Sequence, residues 1–291
     1  MRYEGPIYRP PSEADSLLIQ ATVGCPHNKC TFCMVYKDNV RFKVRATTEI
    51  KEDLDEAYKI YGDAIRTLFL PAGNTIAMPT AALAEICRYS RKLFPRLQRI
   101  TVYGSAPYIN QKGIIELKQL AEAGLSRIHV GLESGDDEIL RRVKKGCNQQ
   151  IQIAAGRMVR QAGLELSEYV ILGLGGKERT TPHALATARA VNAIVPDYLR
   201  LRTLVPKINT PLLEEVLQGR FQMLSPHEVI LETMSLLEAI TITTQVVSDH
   251  YTNYVNVVGR LPEDKAAMLR TLQTARQRPE ADFRPFFIGT Q

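Results

Sequence analysis

No stretch of the 291 residues is apolar for long enough to cross a bilayer, which takes roughly 20 residues as a helix. The opening Met1-Arg2-Tyr3-Glu4-Gly5-Pro6 has no apolar core of a secretion signal. Cysteine is scarce, five in all, and three of the five fall between positions 25 and 33, which excludes a disulfide framework. The expected compartment is therefore a reducing cytoplasm, with no membrane partner. Basic runs never exceed two residues (Arg141-Arg142, Lys144-Lys145), although the net charge is +6 and the pI about 9.0. Scattered charge of this kind favours a solvated surface over a nucleic-acid groove, and a nucleic-acid partner stays open. With 45% hydrophobic and 23% charged residues, the chain is ordinary globular material, enough for one large α/β domain or two small ones.

What is present is organised around Gly24-Cys25-Pro26-His27-Asn28-Lys29-Cys30-Thr31-Phe32-Cys33. The apolar run Leu17-Leu18-Ile19-Gln20-Ala21-Thr22-Val23 reads as a short buried strand ended by Gly24, so a strand delivers three thiols to one loop. Soft thiolates on a tight loop suit iron–sulfur clusters or zinc. A structural zinc site wants a fourth protein ligand, and no second cysteine pair follows; Cys87 and Cys147 are distant and isolated. His27 is the one local candidate for that place, and its plainer reading is a solvent-facing loop residue. Three ligands fit a four-iron cluster with one iron left open.

Residues 1–16, rich in proline and polar groups, read as an extended lead-in, and 37–45 as basic and irregular. From Thr47 onward the pattern alternates. Strands are expected at 67–70, 99–104, 127–132, 167–172 and 198–204. Helices are expected from Thr47 and over 80–94, 111–123, 136–145, 149–162, from Thr181-Pro182, and from a capping box at Ser225-Pro226-His227-Glu228 to about 240. With the first strand this makes six β/α units and predicts an α/β fold with a parallel sheet. Periodicity alone leaves a doubly wound sheet and a barrel both open. In either case the loops after the strands form the functional rim.

At this point the chain resembles the radical S-adenosylmethionine (radical SAM) superfamily. The family has three cysteines separated by three and then two residues, with an aromatic before the last; Phe32 holds the aromatic position. Here the first gap, Pro26 to Lys29, has four residues, so the loop is one residue longer than usual. Gly131-Leu132-Glu133-Ser134-Gly135, continuing through Asp137-Glu138-Ile139-Leu140 to Lys144-Lys145-Gly146, resembles the elongator, methylthiotransferase and coproporphyrinogen-oxidase type of core. The resemblance covers roughly residues 17–205. It implies a partial (β/α)6 TIM-like barrel over 17–240, followed by a C-terminal extension, 241–291. It also implies a 4Fe–4S cluster on Cys25, Cys30 and Cys33 that binds S-adenosylmethionine and cleaves it reductively. The resulting 5′-deoxyadenosyl radical would abstract hydrogen from an unidentified substrate, with electrons from a flavodoxin or ferredoxin.

Cofactor contacts implied in the same way are Phe32, Gly73 in Leu70-Pro71-Ala72-Gly73-Asn74, Ser105 after the third strand, Glu133 and Ser134, Gly173 in Gly173-Leu174-Gly175-Gly176, and Arg202. The family's usual Gly-Gly-Glu is absent at 72–74. The plain alternatives are that Ser134 and Glu133 cap the next helix and that 104–105 is a simple turn. Arg200 and Arg202 share a strand face and need an anion, either a cofactor or substrate group or an internal acid. Cys87 is expected in the core, and Cys147 to be an ordinary thiol. A four-cysteine auxiliary cluster is impossible within this chain of five cysteines, which disfavours sulfur insertion from a sacrificial cluster unless a partner brings it. Two other readings are kept: a non-catalytic cluster- and SAM-binding partner, and a zinc-stabilised nucleic-acid-binding module. In the extension, 241–247 reads as an edge strand, 261–276 as a helix and 285–288 as an apolar anchor. The whole is a candidate lid, with Asp249, His250, Tyr251, Asn253 or Tyr254 facing the substrate.

Overall fold

The computed structural model describes residues 1–37 and 40–290; Asp38 and Asn39, inside the expected irregular basic stretch, lie outside the described residues. Among the described residues the strands are, in chain order, β1 (Leu17–Leu18), β2 (Thr22–Val23), β3 (Lys43–Val44), β4 (Thr67–Leu70), β5 (Arg99–Gly104), β6 (Arg127–Glu133), β7 (Glu165–Leu172), β8 (Tyr198–Thr203), β9 (Thr244–Val247) and β10 (Val258–Leu261). The helices are α1 (Thr47–Tyr61), α2 (Thr80–Leu93), α3 (Ala106–Glu122), α4 (Asp137–Arg142), α5 (Gln149–Gln161), α6 (Thr180–Ile194), α7 (Pro211–Leu217), α8 (Pro226–Ala239) and α9 (Lys265–Arg276). The fold is α/β. Its eight-stranded sheet has the order β1-β4-β5-β6-β7-β8-β9-β10, with β1–β4, β4–β5, β5–β6, β7–β8 and β8–β9 parallel and β9–β10 antiparallel. Among the described residues no pairing joins β10 back to β1, in keeping with a partial rather than closed barrel. No helix of the described residues is long and apolar enough to cross a membrane.

Two expectations need correction. The run 17–23 is two short strands rather than one: β1 pairs with β4, while β2 turns away to pair antiparallel with β3. Gln20 breaks it, because its side chain exchanges hydrogen bonds with the Glu4 backbone and its carbonyl accepts from Arg45. The helix expected over 136–145 ends at Arg142, and α7 was not anticipated. The chain divides into two compact units, residues 1–28, 35–130 and 158–166, and residues 29–34, 131–157 and 167–291.

In the first unit, Leu68, Leu70, Ile100, Val102, Ile128 and Val130 are buried, as parallel strands covered by helices require. The other strand face carries Phe69, Tyr103 and His129 in ring contact, with centroids 5.1 Å (Phe69–Tyr103) and 5.8 Å (Tyr103–His129) apart. At the N-terminal ends of these strands sits Glu13, fully buried. It accepts from Ser16 at 2.6 Å and Arg99 at 3.1 Å, and lies 3.2 Å from His129 Nε2. Burial alone would raise this carboxyl, but the His129 and Ser16 hydrogen bonds and the Arg99 charge outweigh it and hold Glu13 at about 2.

In the second unit, the capping box at Ser225 and Glu228 opens α8 as expected, and α8 packs on α6. The folded value of Glu13 lies below the unfolded one, so its stabilisation is complete above an unfolded value near 4.3 and is lost as pH falls toward about 2. Glu13→Gln leaves the buried Arg127 and the partly buried Arg99 under-compensated and is expected to cost about 3 kcal/mol at pH 7. Denaturant unfolding at pH 7 and pH 3 checks both, since the difference between wild type and variant shrinks at the lower pH.

Candidate functional site

The first unit contributes Cys25 and the loop after β4. Gly73 N donates to Gly24 O at 3.1 Å, laying the two loops together. A methyl group on Gly73 would stand 2.7 Å from both Cys25 Cβ and the Tyr36 ring, so only glycine admits this approach. Next to it, Asn74 is buried, donates to Ser105 Oγ at 3.0 Å, and leaves its Oδ1 with no partner. The structure thus brings Gly73 to Cys25 and Asn74 to Ser105.

The second unit contributes Cys30, Phe32 and Cys33. Thr31 N donates to Val143 O at 3.0 Å, and Thr31 O accepts from Leu212 N at 3.1 Å. Phe32 packs against the core of Ile139, Val143, Leu174, Leu204, Leu212 and Phe221. The aromatic before the last cysteine is therefore an anchor for the loop. All five cysteines are outside disulfides; Cys25, Cys30 and Cys33 are half-buried, while Cys87 is fully buried and its thiol is pushed up to about 12 by burial.

At the end of β6, Glu133 adopts φ 62°, a left-handed turn that folds its carboxylate back over Gly131. There it accepts from Lys145 at 3.0 Å, and any side chain at Gly131 would run into both groups. Burial pulls the Lys145 ammonium down, but Glu133 and negative charge at Cys30 and Cys147 more than offset it, holding Lys145 above the usual lysine range. Glu168 on β7 is buried and pushed up to about 8 by that burial, Lys145 pulling it down and Glu133 adding to the rise, so it is mostly protonated at neutral pH. Lys145 was noted in the sequence only as part of a motif. Its spacing, twelve positions after Glu133 in Lys144-Lys145-Gly146, was the available signal.

Ser134 is not the helix cap; Asp136 is, accepting from Glu138 N at 2.9 Å and Ile139 N at 3.1 Å. Ser134 is buried, and its hydroxyl lies 2.8 Å from His183 Nδ1 while accepting from Asp136 N. His183 Nε2 lies 3.0 Å from Ile171 O, which fixes that nitrogen as the donor and Nδ1 as the acceptor of the serine proton. Glu232 Oε1, 3.7 Å from the same ring, accepts from Gly173 N at 2.6 Å. Ser134 and Gly173 are thus joined through a buried network and hold the two loops of this unit in place.

Arg200 is buried, and its protein partners are neutral, Ser167 Oγ at 3.0 Å and the Tyr198 ring. Asn253 is committed to β8: it accepts from Thr203 N and donates to Leu201 O, and so does not face a substrate. The 285–288 anchor is also revised. Phe286 is 57% exposed, and the segment is held instead by Gly289 on Pro206 and Ile208 and by Arg284 donating to Thr252 O.

Residues 19–187, more than half of the chain, match the radical SAM superfamily. The chain belongs to the radical SAM superfamily. It is an enzyme of the radical SAM class, whose chemistry is radical formation from S-adenosylmethionine at a 4Fe–4S cluster. Threonylcarbamoyladenosine tRNA methylthiotransferase MtaB of Rickettsia prowazekii (strain Madrid E) is 26% identical over 155 residues, 51% of this chain. The chain spans 36% of that protein's length. Among solved structures, methylornithine synthase (PylB) matches with TM-score 0.53 and 18% identity over 92% of this chain and 84% of that one. Coproporphyrinogen III oxidase (HemN) from Escherichia coli matches with TM-score 0.53 and 17% identity over 76% of this chain and 51% of that one. These structural likenesses establish the fold alone.

The donor set fits a 4Fe–4S cluster in its chemistry: three thiols outside disulfides on one loop, with Gly73 in close packing against Cys25. Among the described residues no three His, Cys, Asp or Glu side chains are gathered closely enough to hold a metal ion, so the fit lies in the chemistry of the donors and not in an assembled site. His183→Leu removes the acceptor of the Ser134 proton and is expected to lower stability by about 1–3 kcal/mol. Thermal or denaturant unfolding measures it, and an unchanged midpoint would contradict the network.

Proposed function

We propose that Cys25, Cys30 and Cys33 hold a 4Fe–4S cluster and that the chain abstracts a hydrogen atom from its substrate after reductive cleavage of S-adenosylmethionine. When bound, the cluster supplies the electron for that cleavage through its open iron. The single observation that carries the reading is the pairing of Glu133 with Lys145 beside the electrostatic influence of Cys30. A carboxylate and an ammonium at a strand end offer an acceptor for nucleoside hydroxyls and a counter-charge for a carboxylate, the two ends of S-adenosylmethionine. Within the first unit, Asn74 Oδ1 is buried without a partner beside the Ser105 hydroxyl. Phe32 and Gly73 act by fixing the thiol loop, and Ser134 and Gly173 by fixing the loops around Glu133. Residues 241–291 exclude water from the substrate, with electrons delivered by a flavodoxin- or ferredoxin-type donor.

The named relatives act on a tRNA nucleoside, a methylornithine product and a porphyrinogen, so they do not agree on a substrate.

With S-adenosylmethionine and a strong reductant, the anaerobically reconstituted protein is expected to release 5′-deoxyadenosine. Binding of S-adenosylmethionine without that product would instead indicate a non-catalytic partner. Glu133→Gln is expected to keep its iron and bind S-adenosylmethionine about 10- to 100-fold more weakly, the loss of one charge-assisted hydrogen bond of about 1–3 kcal/mol. Equilibrium binding measures this, and unchanged affinity with lowered stability would make Glu133 structural.

A further inference from the structure

The turn after β9 and the C-terminal segment carry a continuous series of rings and guanidinium groups, all within the second unit. The His250 and Tyr251 ring centroids lie 4.5 Å apart with planes at 34°, and those of Tyr251 and Phe287 6.3 Å apart at 32°. The Arg284 guanidinium lies over two rings, 5.0 Å from the centroid of Phe287 and 4.2 Å from that of Tyr254. Tyr254 meets Phe283 edge-on at 6.0 Å, and Arg278 lies over the Phe283 ring at 4.7 Å. The inner side of the series is fixed. Phe283 is buried, Arg284 Nε donates to Thr252 O at 2.9 Å, and Asn253 ties the turn to the C-terminal end of β8 through Thr203 N and Leu201 O. The outer side is open. Tyr251 is 62% exposed, Arg278 is exposed, and Tyr254, Arg284 and Phe287 are half-buried. Rings held in this way lose little freedom when a ligand stacks on them.

Neither arginine has a carboxylate partner among the described residues. Arg284 donates to Thr252 O and Pro285 O, and Arg278 to Asp282 O at 2.9 Å. Glu280, the nearest acid in sequence to Arg278 besides Asp282, turns to the start of α8, where it accepts from Ser225 Oγ and from His227 N at 3.2 Å. Over residues 265–291 five basic side chains (Lys265, Arg270, Arg276, Arg278 and Arg284) stand against two acidic ones, Glu280 and Asp282, in a chain of net charge +6. Exposed ring faces beside guanidinium groups without a carboxylate suit a partner that is both planar and anionic. Unpaired bases on a phosphate backbone are both. A second copy of this chain would instead bring like charges together at the same patch.

We propose that Tyr251, Phe287, Tyr254, Arg284 and Arg278 form a stacking platform for a short unpaired stretch of nucleic acid. A base stacks on the open face of Tyr251 and continues the series of His250, Tyr251 and Phe287. Arg284 holds the rings in place, and Arg278, whose guanidinium makes a single hydrogen bond within the chain, meets a phosphate. Stacking of this kind accepts any base, so the platform selects unpaired strands rather than a sequence. The binding does not depend on the radical SAM reading.

The test is fluorescence anisotropy of the full chain with labelled strands of about 12 nucleotides and mixed sequence, as RNA, as DNA and as the blunt DNA duplex, over a range of salt. The expected result is saturable binding of a single strand, about tenfold or more tighter than of the duplex. The better bound of RNA and DNA assigns the kind of nucleic acid. Tyr251→Ala is expected to weaken single-strand binding about tenfold and Tyr251→Phe to keep it. Arg278→Gln, at a second exposed position, is expected to reduce the salt dependence by about one phosphate contact. No saturable binding of either single strand overturns the proposal. So does a duplex bound as tightly as the single strand with Tyr251→Ala silent, which would leave only diffuse charge attraction. Self-association of the free chain that Tyr251→Ala abolishes in sedimentation, or binding of phosphatidylserine vesicles without binding of either strand, would give the patch to a second copy or to a lipid surface and overturn it too. Because the titration needs neither iron nor turnover, absence of 5′-deoxyadenosine would defeat the radical reading without touching this result.

Discussion

The thiol loop is held mainly by its backbone, and the placement of the site residues depends on that constraint. Thr31 gives its N–H to Val143 and its carbonyl to Leu212 N, while Phe32 packs into an apolar core. Gly24 takes the N–H of Gly73 across a gap too narrow for any side chain. Each of these contacts is made by the backbone or by the Phe32 ring, not by a thiol. A loop one residue longer than the family's usual pattern is accommodated because its anchors lie at Gly24 and at Thr31-Phe32, on either side of the extra residue.

Around that loop the second unit keeps its charges in specific partnerships. Glu133 and Lys145 neutralise each other in a largely buried place, which is costly unless both geometry and further bonding are good. Glu168 avoids the same cost by remaining mostly protonated. Arg200 is satisfied by a hydroxyl and an aromatic face. The buried chain Ser134–His183 and Glu232–Gly173 contributes no charge to a ligand. Its role is to make the ends of β6 and β7 rigid, which is what a site that positions a cofactor requires.

Much of this was legible in the sequence because local chemistry dictated it. The three thiols with Phe32, the Gly-Leu-Glu-Ser-Gly segment, the capping box at Ser225 and the six strand–helix alternations all depend on spacing, and spacing survives folding. What was not legible depended on contacts between distant residues. Gln20 divides an apolar run because of Glu4 and Arg45. Glu13, in a stretch that reads as a polar lead-in, is buried because Arg99, Arg127 and His129 meet it from strands far along the chain. Ser134 looked like a cap, and only the approach of His183 from α6 shows why it is buried. Asn253 looked like a substrate contact until its four hydrogen bonds to β8 and Ser248 accounted for every polar atom of its side chain.

The central claim is that three cysteines of one loop carry an iron–sulfur cluster. Iron, sulfide and zinc analysis of the anaerobically purified chain, together with its visible absorbance, tests it most directly. About four irons and four sulfides per chain with a broad band near 400 nm, all lost in Cys30→Ala and retained in Cys87→Ala, is the result predicted. A colourless protein holding one zinc per chain, or iron retained in full without Cys30, would contradict it.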